Sequence, residues 1–324
     1  MLYQILKIYA RLAKPLFFHS LIVDKQSMLK LKGPLLIASN HPNSFLDAII
    51  FDILFDLPIT SLARGDAFQS KQVFRILRIL KMLPIYRIRE GAENLHINYQ
   101  TFDACIEIFK KNEGVLIFSE GLCVNEWRLR PLKKGTARLA LKAWKEGIPL
   151  KVLPAGINYS SFRRYGKLIH VRFGELIGKE HFDLSLAEGN VYNQFNELLQ
   201  AQLQQLVYEI PGGNYNLLQE KFGKASRTTK MVLAPLALMG ALLHAPLYVL
   251  AKLITQLFFS KSIHFDAVIF ALLFLSYPVY LLAITLLACS IWGGWGLLCL
   301  LLLFLTAACY VKYDIRLDKW VSCC

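Results

Sequence analysis

Short apolar runs alternate with longer, helix-periodic segments through residues 30–228. Apolar runs typical of buried strands occupy 35–38, 59–63, 85–88, 115–118, 152–157 and 168–173. Segments with apolar residues at helical spacing occupy 45–55, 66–82, 94–111, 135–145 and 191–208. Because strands that alternate with helices usually pair in parallel, this order predicts an α/β domain with a mixed, largely parallel sheet flanked by helices.

The N-terminal region, residues 1–29, has a different pattern. Apolar residues recur near helical spacing through residues 1–22, and Lys7, Arg11 and Lys14 lie between them. This pattern predicts an amphipathic helix that lies in the interface of a bilayer. The alternative is an ordinary helix that packs on the domain core.

The C-terminal region, residues 229–324, is strongly apolar. Residues 265–310 contain one charged side chain, Asp266. Because a membrane-spanning helix needs about 20 apolar residues, this run predicts a spanning hairpin with helices at 265–289 and 292–311. Two adjacent glycines between two tryptophans mark the turn, and tryptophan suits a membrane interface.

The segment 231–258 leaves two topologies open, since it is apolar but contains Pro235 and Pro246. If this segment is embedded without crossing, all the basic segments lie on one side of the membrane, as the positive-inside rule favours. If it spans, the tail has three spans. We favour the hairpin with one embedded segment.

Composition supports this division of the 324 residues. Residues 1–230 contain 32 basic and 20 acidic side chains, whereas residues 231–310 contain three charged residues in all. A mean hydropathy of +0.40 and a net charge of +14 exclude intrinsic disorder and a purely cytosolic enzyme. The basic residues are scattered and form no nucleic-acid motif, so we expect membrane lipids rather than nucleic acid as the partner.

The strongest candidate for chemistry is the segment Asn40-His41-Pro42-Asn43, followed by Asp47. Histidine can take a proton from a hydroxyl near neutral pH, and a carboxylate can orient it. On one regular helix, residues six apart point about 120° from each other, so the pair can meet only if His41 precedes the helix. The alternative is a plain helix start with a solvated Asp47.

Polar residues follow other predicted strands. Glu120 and Gly121 end the run at 115–118, and a glycine there lets a ligand approach closely. Arg87 lies in the run at 85–88, and arginine suits phosphate. Each of these features, taken alone, also fits a plain turn or a solvated edge.

Together, five motifs share the order and rough spacing of one family: NHPN with the later Asp, PIYR, FSEG, LKKG and VLPAGINY. The chain resembles the glycerol-3-phosphate and lysophosphatidate (1-acylglycerol-3-phosphate) acyltransferases of phospholipid synthesis, over about residues 30–180. The resemblance implies transfer of an acyl group from acyl-CoA or acyl-carrier protein to glycerol-3-phosphate or lysophosphatidate. It implies no metal and no bound cofactor. It also implies a catalytic domain on the cytoplasmic face of a bacterial inner membrane.

The resemblance assigns roles at the matching positions. His41 would be the general base on the acceptor hydroxyl, and Asp47 its orienting partner. Arg87 would bind the acceptor phosphate, and Pro154 is linked to the acyl chain. The full set of implied substrate-binding residues is Asn43, Arg87, Glu120, Gly121, Lys134 and Pro154.

The chain departs from the usual family pattern at two motifs. Five residues separate His41 from Asp47 instead of four, and Leu122-Cys123 follow the glycine where an arginine is usual. Arg128 and Arg130 are then the candidates for that cation. These departures leave two alternatives open: another lyso-lipid as acceptor, or a non-catalytic lipid-binding protein on the same fold. A serine hydrolase is disfavoured because the chain has no GxSxG motif.

Overall fold

A seven-stranded sheet forms the centre of the domain. The computed structural model describes residues 2–68, 70–86, 95–212 and 214–318. The strands are β1 (Ser20–Val23), β2 (Leu35–Ser39), β3 (Ile59–Arg64), β4 (Met82–Ile85), β5 (Gly114–Phe118), β6 (Lys151–Tyr159) and β7 (Leu168–Phe173). Their order across the sheet is β1-β7-β6-β2-β5-β3-β4. Of the neighbouring pairs, β6–β7 is antiparallel and the others are parallel, which confirms the predicted α/β class.

Ten helices are present among the described residues. They are α1 (Leu2–Phe17), α2 (Phe45–Leu54), α3 (Lys71–Ile79), α4 (Leu95–Lys110), α5 (Gly135–Lys145), α6 (Glu188–Leu206), α7 (Tyr215–Phe222), α8 (Arg227–Phe259), α9 (Phe265–Trp292) and α10 (Leu298–Tyr313). Four of the five periodic segments predicted in the domain match α2, α4, α5 and α6 to within three residues, and α7 was not predicted.

Three element bounds predicted from the sequence are wrong. The N-terminal helix ends at Phe17, and Ser20–Val23 is an edge strand that pairs with β7, so the sheet begins before residue 30. The helix predicted over 66–82 is a 3₁₀ turn at Gly65–Phe68 followed by α3. The strand predicted to start at residue 85 starts at Met82 and includes Ile85, since an edge strand tolerates Pro84, whereas residues 87 and 88 lie outside the described residues.

The two faces of the sheet carry separate apolar cores, because side chains alternate along each strand. On β2, Leu35 and Ile37 face a core that includes residues of α1, α2 and α9. Leu36 and Ala38 face the opposite core, under α4, α5 and α6. The carboxyl ends of the parallel strands β2, β3, β5 and β6 meet at one edge, between these two layers.

Helix α1 has one face on the domain and one exposed apolar face. Arg11 donates from Nε to the carbonyl oxygen of Ile53 at 2.9 Å and from a terminal nitrogen to that of Phe55 at 2.8 Å. These contacts satisfy the C-terminal end of α2, where a cation is favoured by the helix dipole. The exposed face carries an apolar row at helical spacing, formed by Leu2, Ile5, Ile8 and Leu12.

The tail begins inside the domain core. Phe270 of α9 packs on Phe17, with ring centroids 5.0 Å apart, and on Phe18, at 5.8 Å. The far end of α9 leads through a 3₁₀ turn at Gly293–Leu297 into α10, which places the turn where the sequence predicts it. Residue Asp318, beyond α10, returns to the domain and accepts hydrogen bonds from Ser161 Oγ at 2.6 Å and from the Phe162 N–H at 2.8 Å.

Helix α8 packs against both helices of the hairpin as one continuous helix, although it contains two prolines. Near its start, Lys230 pairs with Asp314 beyond the end of α10, at 2.8 Å. Farther along, Gly240 lies so close to the Thr306 backbone of α10 that no side chain fits between them. Just past its C-terminal end, the chain reaches the start of α9. Both ends of α8 therefore lie at the domain end of the hairpin, and the segment does not fold back on itself.

Candidate active site

The turn between β2 and α2 brings His41 and Asp47 together. Strand β2 ends at Ser39 and α2 begins at Phe45, so His41 precedes the helix while Asp47 lies in its first turn. His41 Nδ1 is 2.8 Å from Asp47 Oδ2. His41 therefore precedes the helix, as the pair needs in order to meet across a six-residue spacing. The alternative of a solvated Asp47 is excluded, because the Asp47 side chain is fully buried.

The buried Asp47 carboxylate is satisfied by three donors. Besides His41, the Asn43 backbone N–H donates to Oδ2 at 2.8 Å, and the Tyr159 hydroxyl donates to Oδ1 at 2.7 Å. Burial and the nearby Asp47 charge raise the pKa of Tyr159, so its hydroxyl keeps the hydrogen that it donates. A buried carboxylate with this many partners can stay ionised and stabilise a charged imidazole.

The His41 ring is held in one orientation with one nitrogen free for chemistry. It stacks on Phe118, with centroids 3.8 Å apart and planes 9° apart. Its side chain remains 19% exposed. Because Nδ1 faces Asp47, Nε2 is the nitrogen that can take a proton from a bound hydroxyl.

The backbone of the turn is strained at Ser44, with φ 55° and ψ −145°. Such a conformation costs a non-glycine residue about 1–3 kcal/mol and persists where the surroundings fix it. Here the Ser44 N–H donates to Cys123 Sγ at 3.0 Å, and Ser44 Oγ lies 2.5 Å from Nδ1 of His264. Burial raises the pKa of Cys123, so this thiol is held neutral and serves the turn rather than acting as a nucleophile.

Glu120 is hydrogen-bonded to the backbone of the same turn. Its Oε2 accepts from the His41 N–H at 3.0 Å and its Oε1 from the Arg130 N–H at 2.9 Å. The residue is 4% exposed, and burial raises the pKa of its carboxyl to about 7. The next residue, Gly121, has φ 62°, a conformation that favours glycine. Both predicted residues therefore lie beside His41, and Glu120 contacts its backbone.

The other predicted site residues lie in different settings. Asn43 is buried and bridges Asp47 to the tail, where its Nδ2 donates to Asp266 at 2.7 Å. Lys134 is exposed at the start of α5, whose Thr136 donates to Ser119 at the end of β5 at 3.0 Å. Pro154 lies within β6, in register with Ala38, and is part of the sheet interior. Arg87 lies outside the described residues.

The cations suggested as replacements in the third motif are already paired. Arg128 lies 3.4 Å from Glu126, and Arg130 pairs with the same carboxylate. Within the described ranges, no group of three His, Cys, Asp or Glu side chains is arranged to hold a metal ion.

Four residues beside the turn between β2 and α2 were not predicted from the sequence. Asp266 is the one charge in an apolar run, which is itself a signal of a functional contact. It pairs with Lys167, and both side chains are almost fully buried. His264 carries no comparable signal, because its contact exists only in the folded chain. Tyr159 ends the VLPAGINY motif, but the motif alone gives it no role.

Part of the chain is similar to known proteins. Residues 20–158 match the family model described as Acyltransferase, a range that contains every predicted site residue. No curated protein matches the chain significantly. Among solved structures, the chain is similar to the 1-acyl-sn-glycerophosphate (LPA) acyltransferase PlsC from Thermotoga maritima. The identity is 16% and the TM-score 0.46, over 63% of this chain and 77% of that one.

Proposed function

We propose that this chain, whose residues 20–158 match the acyltransferase family model, transfers a fatty acyl group from an acyl thioester to a hydroxyl of glycerol-3-phosphate or lysophosphatidate. The donor is acyl-CoA or acyl-carrier protein. The observation that carries the proposal is the His41–Asp47 pair at the carboxyl edge of the sheet, where none of the described residues is hydrogen-bonded to Nε2 of His41.

The reaction is a direct transfer without a covalent enzyme intermediate. His41 Nε2 takes the proton of the acceptor hydroxyl as its oxygen attacks the thioester carbonyl. Asp47 stabilises the imidazolium that forms, and Tyr159 and Asn43 hold the carboxylate in place. The tetrahedral intermediate then collapses, the carbon–sulfur bond breaks, and the leaving thiolate takes the proton back from His41.

Backbone N–H groups and cationic side chains near the same edge of the sheet suit the negative charges of the reaction, which lie on the oxyanion and on the substrate phosphate. The first turn of α5 lies beside the end of β5, and N–H groups at a helix start have no intrahelical partner. We assign the oxyanion or a substrate phosphate to this turn, with Lys134 at its cap. Arg87 is the second proposed phosphate ligand.

The proposed enzyme lies at a membrane. Two helical stretches, Arg227–Phe259 and Phe265–Tyr313, are long and apolar enough to cross one. We propose that the α9–α10 hairpin crosses the bilayer and that α8 is embedded without crossing it, because both ends of α8 are at the domain side. The exposed Trp292 and Trp295 would mark the far interface.

Two domain helices offer apolar faces to the same surface. Besides the apolar row on α1, helix α3 has no buried residue, contains no acid and carries three cations. Its exposed large apolar residues are Val73, Phe74, Ile76 and Ile79. The two helices are neighbours, since Lys81 Nζ, just past α3, lies 5.6 Å from the Tyr3 ring of α1. Basic amphipathic helices of this kind bind anionic bilayer surfaces. By the positive-inside rule, the domain is then cytoplasmic.

The test uses purified full-length protein in nanodiscs with radiolabelled acyl-CoA or acyl-carrier protein. The acceptors are glycerol-3-phosphate, lysophosphatidate and other lysophospholipids. We expect transfer to one of the first two, and loss of transfer in His41→Ala with membrane insertion unchanged. His181→Ala, at an exposed histidine of a 3₁₀ turn, is the matched control. Full activity of His41→Ala, or transfer to none of the acceptors, contradicts the proposal.

A further inference from the structure

We call residues 40–44, between β2 and α2, the catalytic turn. The first turn of α9 contacts it through buried polar groups. Asp266 is 5% exposed and is the one acid between residues 231 and 310. Its Oδ2 accepts from Asn43 Nδ2 at 2.7 Å. Lys167, which is 3% exposed and directly precedes β7, pairs with the same carboxylate.

Asn43 connects this ion pair to the catalytic pair. Its side chain donates to Asp266, while its backbone N–H donates to Asp47 Oδ2 at 2.8 Å. That Asp47 oxygen is the atom bonded to His41 Nδ1. One residue therefore joins the membrane tail to the carboxylate that orients the proposed base.

We propose that Asp266 is a positioning residue for the His41–Asp47 pair and acts on it through Asn43. The start of the tail hairpin is thus part of the active site as well as an anchor. The inference rests on the acyl transfer proposed above, which gives the pair its role.

The chemistry of the ion pair favours a role in geometry over a role in stability. A buried ion pair adds little net stability compared with apolar side chains of similar volume, because both charges lose their hydration. Its specific contribution is a fixed acceptor opposite the Asn43 amide. A second contact fixes the same segment, since His264 bonds Ser44 Oγ at 2.5 Å.

Other titratable groups surround the catalytic pair, and the variants used in the test must leave these groups unchanged. They come from the β3 end, the β5 loop, β6 and the α8–α9 connection: Arg64, Glu120, Cys123, Tyr159 and His264. A variant at Asp266 leaves all of them in place.

The experiment separates the acceptor from the ion pair with two double variants. In Asp266→Asn/Lys167→Met, the charges are removed but an amide oxygen remains for Asn43. In Asp266→Leu/Lys167→Met, the charges and the acceptor are both removed, and the apolar pair keeps the core packed. The matched control is Asp314→Asn/Lys230→Met, which removes a second Asp–Lys contact of the tail, at 2.8 Å, far along the chain from the catalytic turn.

We expect kcat of the Leu/Met variant to fall by about 10- to 100-fold, because small displacements of a catalytic group cost up to about that much. The KM values for donor and acceptor should change little. The Asn/Met variant and the control should stay within about threefold of wild type. Thermal unfolding in detergent checks that all three variants fold.

A second readout does not depend on activity. The Nδ1–H proton of His41, identified in the NMR spectrum by its loss in His41→Ala, reports the bond to Asp47. We expect this resonance to broaden or shift in the Leu/Met variant alone. Wild-type kcat and an unchanged resonance in that variant overturn the inference, as does an equal loss of kcat in both double variants. A wild-type protein that transfers to no acceptor overturns the proposed function instead, and the resonance still tests the link.

Discussion

The Tyr159 hydroxyl donates to Oδ1 of Asp47 at 2.7 Å, across 112 residues of chain. Tyr159 ends β6 and Asp47 lies in the first turn of α2, so this bond ties the catalytic turn to a neighbouring strand. The Asp47 carboxylate is fully buried. Among the described residues, Tyr159 is the hydrogen-bond donor to its Oδ1.

Replacing Tyr159 with Phe should therefore weaken both stability and catalysis. An unsatisfied buried carboxylate oxygen costs about 1–3 kcal/mol. We expect the free energy of unfolding to fall by that amount and kcat by about 10-fold. Tyr192→Phe removes an exposed bond of the same kind, to Glu188 at 2.7 Å, and should have little effect on either quantity. Equal effects of the two variants would show that the bond to Asp47 has no special role.

Glu120 should give the protein a measurable pH dependence. Its carboxyl pKa is raised by burial from an ordinary 4.5 to about 7, so the native state holds a proton that the unfolded chain releases in this range. The contribution of Glu120 to the free energy of unfolding should be greatest below about pH 4.5 and fall as the pH rises to about 7.

Glu120→Gln removes this titration and one of the two backbone acceptors. We expect it to destabilise the protein, since one N–H of His41 or Arg130 loses its partner. Denaturant unfolding at pH 5 and pH 8 measures the difference between wild type and variant. That difference should be smaller at pH 8, and a difference that does not change with pH would contradict the raised pKa.

Gly121→Ala should lower activity more than stability alone explains. With φ 62°, an alanine is strained by about 1–2 kcal/mol, and its Cβ would lie 3.0 Å from Lys133 Cγ. Gly147 has φ 74° with open space around it, so Gly147→Ala carries the backbone strain without the contact and far from His41 in the chain. Both variants should lose similar stability, while kcat should fall only in Gly121→Ala. Activity losses that simply follow stability in both would exclude an effect on the site.

The apolar face of α3 should contact lipid. In a variant with the native cysteines replaced, a nitroxide at position 73 should be more accessible to oxygen than to a water-soluble nickel complex in anionic nanodiscs. A nitroxide at position 75 lies on the basic face and should show the reverse. Equal accessibility at the two positions would place α3 in water.

The tail topology predicts which loops share a side of the membrane. Asp318 binds Ser161 and Phe162 of the domain, whereas the turn at Gly293–Leu297 lies at the far end of the hairpin. In sealed cells, an impermeant thiol reagent should label a cysteine at position 294 and not one at position 316. Labelling of both positions from outside would require an additional span.

Local patterns in the sequence determine much of this protein. The periods of apolar residues locate most strands and helices, because burial on a strand or helix repeats every two or about 3.6 residues. The motif NHPN with the later Asp identifies His41 and Asp47, and a proline after the histidine indicates that the helix starts later. The hairpin turn follows from adjacent glycines at Gly293 and Gly294.

The tertiary structure alone decides which distant residues complete the site. Asn43 meets Asp266 across 223 residues, and Tyr159 meets Asp47 across 112. No period or spacing encodes such contacts, because they depend on how β6 and α9 pack against the catalytic turn. The contact of Arg11 with the end of α2 is likewise not encoded by spacing, because it depends on how α1 packs on the domain. The sequence thus determines the elements and the pair that is proposed to carry the chemistry. Packing decides that the apolar tail contacts this pair through Asn43, since a buried carboxylate needs partners that only the folded chain supplies.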